Sequence, residues 1–122
     1  MFWKRSTQAS KEDEKIFLEL DPLLDELWVY MRYLADLKAV WPNLTDEQQK
    51  DIDNSPVQQN RFHEKKAEQL VEAIGLRTLE LKAHRHTTLK RKLLEFLDDW
   101  KDQEPDMLKV IHAMMIRGSR KA

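Results

Sequence analysis

The sequence predicts an all-α fold, a single domain built as a bundle of four to five helices. Two glycines and four prolines in 122 residues leave few natural breaks, and Leu, Glu, Lys, Ala, Gln and Arg dominate while Ile, Val and Thr are sparse. That is helix composition, and no segment alternates cleanly enough to read as a strand. The stretch 22–41 is also too apolar for an ordinary surface helix, with only Asp25, Glu26, Arg32, Asp36 and Lys38 charged.

At 100° per residue, Leu23, Leu24, Leu27, Met31, Leu34 and Leu37 share one face of that stretch, while Val29, Tyr33 and Val40 lie roughly opposite. It therefore reads as the central hydrophobic helix of a bundle, or as a helix whose back is covered by a partner. Upstream, Ser10 and Asp13 form a weakened capping box opening a short helix with Ile16, Phe17 and Leu20 inward. Asp21 as N-cap and Pro22 at the first helical position predict a break or sharp kink there. Pro42 ends the central helix, because proline disfavours the helical region for the residue before it.

Thr45 and Gln48 cap a single turn expected to end near Ile52. Ser55, Pro56 and Gln58 start a long second helix that can run, with interruptions, to about Asp102. Its first third is polar apart from Val57 and Phe62, so it projects into solvent or lies along a partner. Ala67, Leu70, Val71, Ile74 and Leu81 form an inward stripe, with Leu76, Leu79 and Ala83 on the other side. Leu89, Leu93, Phe96, Leu97 and Trp100 form a second stripe rotated from the first, which requires a kink or break. The weak helix formers at 84–88 are the expected place, and Gly75 the competing one. Pro105 opens a last helix carrying Met107, Leu108, Ile111, Met114 and Met115 on one side, with Gly118 where a C-terminal cap belongs. Residues 1–9 and 118–122 read as tails.

A net charge of −1 gives no overall steering toward nucleic acid or acidic lipid. Without cysteine there are no disulfides or thiolate metal sites. No apolar stretch follows Met1 as a secretory signal requires, and five charges make 22–41 a poor membrane span. The expected protein is soluble and cytoplasmic.

The densest charge feature is 77–92, where Arg77, Lys82, Arg85, Lys90, Arg91 and Lys92 stand against Glu80 alone, with His84 and His86 among them. Solvated, this strip pairs with the acidic stretch behind it, for example Arg91 with Glu95. Functionally, Arg77, Lys82, Arg85, His86, Lys90, Arg91 and Lys92 are candidates for contact with a nucleic-acid backbone. Aromatic residues that stack on bases are absent from it, so such contact is not sequence-specific. Neither Glu-x-x-His pairs nor His-Glu-x-x-His occur among the four histidines, so no metal and no cofactor is expected.

Arg77 and His84 enclose six residues, a spacing that resembles the arginine-to-histidine signature of HEPN ribonucleases, which are also helical bundles. The resemblance implies that Arg77 stabilises charge at a scissile phosphate and His84 moves the proton, across a dimer. The polar residue that often follows the family's arginine is matched only by Thr78. The reading favoured by the whole sequence is different. It is a non-enzymatic interaction protein, an adaptor or small subunit of a larger assembly, touching a protein partner or a second copy through Phe2, Trp3, Val29, Tyr33 and Val40. Phe2 and Trp3 beside Lys4 and Arg5 are also a weaker candidate for a membrane surface. No small-molecule substrate is expected.

Overall fold

The computed structural model describes residues 2–120, with side chains from 9 to 117. Five α-helices follow in order: α1 (Phe2–Val40), α2 (Asp46–Asp53), α3 (Glu64–Leu79), α4 (Thr87–Asp98) and α5 (Pro105–Arg120). Short 3-10 turns at Trp41–Asn43, His84–His86 and Trp100–Asp102, and a π turn at Val57–Arg61, punctuate the connections. No strand occurs among the described residues, and no helix among them is long and apolar enough to cross a membrane.

α1 packs against both α3 and α5, and α4 packs against the same two helices. The four close a bundle with α1 and α4 at opposite corners, while α2, which buries no residue, is appended outside. Of the face anticipated for 22–41, Leu24, Leu27 and Met31 are buried and Leu23, Leu34 and Leu37 half-buried; with Leu20 ahead of them they share one core with Ile74, Leu93, Leu108 and Met115. The second stripe is also inside, since Leu89, Leu93, Phe96, Leu97 and Trp100 are all buried. Leu76 and Leu79 are exposed, whereas Ala83 is buried in the loop beyond them.

The expected break at Pro22 does not occur. Proline in a helix interior removes one backbone hydrogen bond and costs about 3 kcal/mol or more. Pro22 lies on the exposed side of α1, as does Leu18, whose freed carbonyl can reach water. Burial of Leu20, Leu24 and Leu27 on the opposite side outweighs the cost, at roughly 2 kcal/mol for each side chain. Asp21 is accordingly no N-cap. It pairs with Nε2 of His112 on α5, while Asp25 lies 3.4 Å from Nδ1 of the same ring. Helix also takes in much of the expected tails, and α5 runs past Gly118 rather than stopping there.

The long second helix is interrupted twice. Ser55 Oγ accepts from the Gln58 backbone N–H at 3.1 Å, as its motif requires, but the chain makes only a π turn before His63 caps α3 through its own Nδ1. The other interruption falls at 80–86, beside the weak formers and not at Gly75, which lies within α3. Thr45 and Gln48 do form a reciprocal capping box, and α2, at 8 residues, is about two turns rather than the single turn expected.

Candidate functional site

The basic strip, the densest charge feature of the sequence, is largely occupied within the chain. Arg77 Nε is 2.8 Å from Glu19 of α1 and its guanidinium also meets Glu80 at 3.5 Å. Lys82 pairs with Glu12 at 3.2 Å. Lys90 turns back to donate to the carbonyls of Leu79 and Leu81 at 3.1 and 3.0 Å, closing the C-terminal end of α3. Arg91 meets Glu95 at 4.0 Å, the one pairing expected. Arg85 and Lys92 are exposed with no ion-pair partner among the described residues. The strip is therefore not a free cationic face: α1, not the acidic stretch behind it, neutralises most of what is paired.

His86 is not on the surface at all. It is 4% exposed, its Nδ1 is 2.7 Å from Asp13 Oδ2, and its ring meets Phe17 edge-on at 4.7 Å. Asp13, fully buried, also accepts from the backbone N–H groups of Lys82 and Ala83, each at 2.9 Å. A carboxylate that the sequence offers as a capping residue is instead the anchor for the α3–α4 loop. Nε2 of His86 finds no hydrogen-bond partner among the described residues and is sealed from solvent, so this Asp–His pair does not open onto a substrate. Arg77 and His84 lie on separate elements, with Arg77 held by two carboxylates and His84 exposed. No hydrogen bond or ion pair joins them.

Of the expected partner contacts, Val29 and Tyr33 are half-buried against the core. Tyr33 stacks on Phe62 with ring centroids 3.9 Å apart and planes within 7°, and donates its hydroxyl proton to Gln58. The rear of α1 is thus covered by the chain itself, through the 57–63 segment the sequence left free. Val40 remains 48% exposed. The side chains of Phe2 and Trp3 lie outside those described.

Covering that rear creates a cleft of about 920 Å³ between the C-terminal part of α1, the 57–63 segment and the α4–α5 connection. Tyr30, Met31, Phe62, Trp100 and Pro105 line it and are each largely buried, so only their inner surfaces show. Three of them are continuous: Tyr30 lies 6.3 Å from Phe62 and 6.0 Å from Trp100, ring centre to ring centre. Leu34 and Ala35 of α1 add apolar wall. The rim is charged, with Lys38 and Lys101 against Asp53, Glu64, Asp102 and Glu104.

Lys101 is already engaged, 2.6 Å from Glu64 and 3.7 Å from Glu68. That hydrogen bond and charge hold the Glu64 carboxyl below the usual carboxylate range and push the Lys101 ammonium up. Burial raises the Tyr30 phenol, helped by the Glu64 charge, so it stays a neutral donor at the cleft floor. A hydrogen bond that the protonated Asp99 carboxyl donates to Asp102, and then the Asp102 charge, raise Asp99, a sign of crowded negative charge at the α4–α5 corner.

The chain matches no family model, no curated protein and no solved structure.

The Glu64–Lys101 pair makes a first prediction. Glu64 is depressed on folding, so its contribution is complete above the ordinary carboxylate pKa and is lost as pH falls through the lowered one. Lys101→Met should therefore lower the urea midpoint slightly at neutral pH, and by less at an acid pH below the ordinary carboxylate range. A gap of the same size at both pH values contradicts the pairing.

Sequence reasoning missed the cleft and the Asp13 anchor. Phe62, a lone aromatic inside the polar run 58–66, was the available signal for the first. For the second there was none, because Asp13 and His86 stand 73 residues apart.

Proposed function

We propose that the protein is a non-enzymatic interaction module, an adaptor or small subunit of a larger assembly, which holds a segment of a protein partner in the cleft. The observation that supports this is the cleft itself. It has the size of a specific binding pocket, an apolar floor with an aromatic series, and a charged rim, the anatomy expected where anchor side chains dock. The basic strip, by contrast, has most of its cations occupied within the chain, which weakens a nucleic-acid reading.

The test is site-specific photocrosslinking. p-Benzoylphenylalanine in place of Ala35, inside the cleft, should crosslink a protein in cells, whereas the same group in place of Arg32, on the exposed side of α1, should not. Equal capture at both positions, or none at Ala35, defeats the proposal.

A further inference from the structure

The rim of the cleft has a sign. Setting aside Lys101 and Glu64, which neutralise each other, Lys38 faces Asp53, Asp102 and Glu104, all exposed. An aromatic floor inside an acidic rim selects a segment that carries large apolar or aromatic anchors next to basic residues. The elevated Asp99 carboxyl beside Asp102 marks the same local excess of negative charge.

The stretch Met1, Phe2, Trp3, Lys4, Arg5 has that composition. It places two aromatic anchors directly before two cations. Its own cleft is out of reach. Ala9 and Leu34, in the middle of the α1 wall, are 25 residues apart on one continuous helix, about 37 Å along its axis. The seven residues from Ala9 back to Phe2, fully extended, span at most about 25 Å. α1 also continues to Phe2, which carries the segment further from the cleft.

Resting on the cleft as a docking site, we propose that its occupant is residues 1–8 of a second copy of this chain, with Phe2 and Trp3 against the aromatic floor and Lys4 and Arg5 against Asp53, Asp102 and Glu104. Each copy offers one segment and one cleft, so exchange between two copies satisfies both.

The experiment combines sedimentation of the full chain, from low to several hundred micromolar, with the Ala35 photocrosslink on purified protein. Expected are a concentration-dependent self-association and a covalent product in which mass spectrometry finds residues 1–8 joined to position 35. Deleting residues 2–8 should abolish the association, and Phe2→Ala with Trp3→Ala should weaken it about 30-fold or more. Reversing the rim with Asp102→Lys and Glu104→Lys should weaken it as well. Adding Lys4→Glu and Arg5→Glu to that variant should restore it, a rescue that misfolding cannot produce. A fluorescein-labelled peptide of residues 1–8 should bind the deletion variant, and more weakly as salt rises.

A chain that stays monomeric throughout, an association that survives the deletion, or a peptide that does not bind overturns the self-docking. If self-docking fails while position 35 still crosslinks another protein in cells, only this inference falls. If position 35 captures nothing, the cleft reading falls with it.

Discussion

Asp13→Ala should destabilise the protein by about 3–5 kcal/mol, the range for removing one partner from a buried charged network. The carboxylate is fully buried and accepts three hydrogen bonds, from the Lys82 and Ala83 amides and from His86 Nδ1. Alanine supplies no acceptor, and each orphaned buried donor costs about 1–3 kcal/mol. Total stability for a domain of this size is about 5–15 kcal/mol, so the variant is expected near the edge of folding at room temperature. Asp13→Asn isolates the charge: its carbonyl oxygen in the Oδ2 position still accepts from Ala83 and His86, but its NH2 group then faces the Lys82 amide, a donor against a donor. It should lose most of the same stability. Urea denaturation gives the size of the loss. Amide exchange at Lys82 and Ala83 in the asparagine variant gives its location, and slow exchange there that matches wild type contradicts the anchoring role.

Phe62→Ala should cost about 3–4 kcal/mol, from the transfer of a buried ring and the cavity it leaves. Its ring stacks on Tyr33, approaches Tyr30 and carries the Arg61 guanidinium 5.3 Å from its centre. The other ties of the 57–63 segment are weak: Val57 is exposed, Gln58 contributes a single side-chain bond to Tyr33, and Gln59 reaches the Asp53 carbonyl at 3.4 Å. The loss should therefore be local before it is global. Limited proteolysis is expected to nick the variant between Asn54 and His63 under conditions that leave wild type intact. Partner capture through position 35 should disappear with it, because Phe62 lines the cleft. A variant that unfolds only globally, with no early cleavage, shows that the segment is held by something other than this ring.

The helices were legible because their faces are coded locally. Leu24, Leu27 and Met31, or Leu89, Leu93 and Phe96, recur at helical spacing and are buried. Capping chemistry was also local, and Thr45 with Gln48 behaves as read. Pro22 misled for the opposite reason: its local preference is outweighed by the burial of Leu20, Leu24 and Leu27 around it. The candidate site was less legible. Arg77, Lys82 and His86 advertise a basic strip, yet their partners Glu19, Glu12 and Asp13 come from a helix far away in sequence. The cleft requires α1, Phe62 and Trp100 to meet, and no spacing within one segment records that meeting.

The order of the helices has a consequence during synthesis. α1 is made first, but one of the two helices that cover it, α5, is made last. From the end of α1 to the end of α5 the ribosome adds 80 residues (120 − 40), roughly 4–16 s at bacterial and eukaryotic elongation rates. For that interval Leu20, Leu24 and Leu27 have only part of their lasting shelter. The nascent chain should therefore engage a holding chaperone, and ribosome profiling of that engagement should show occupancy beginning as α1 emerges and persisting while α5 is synthesised.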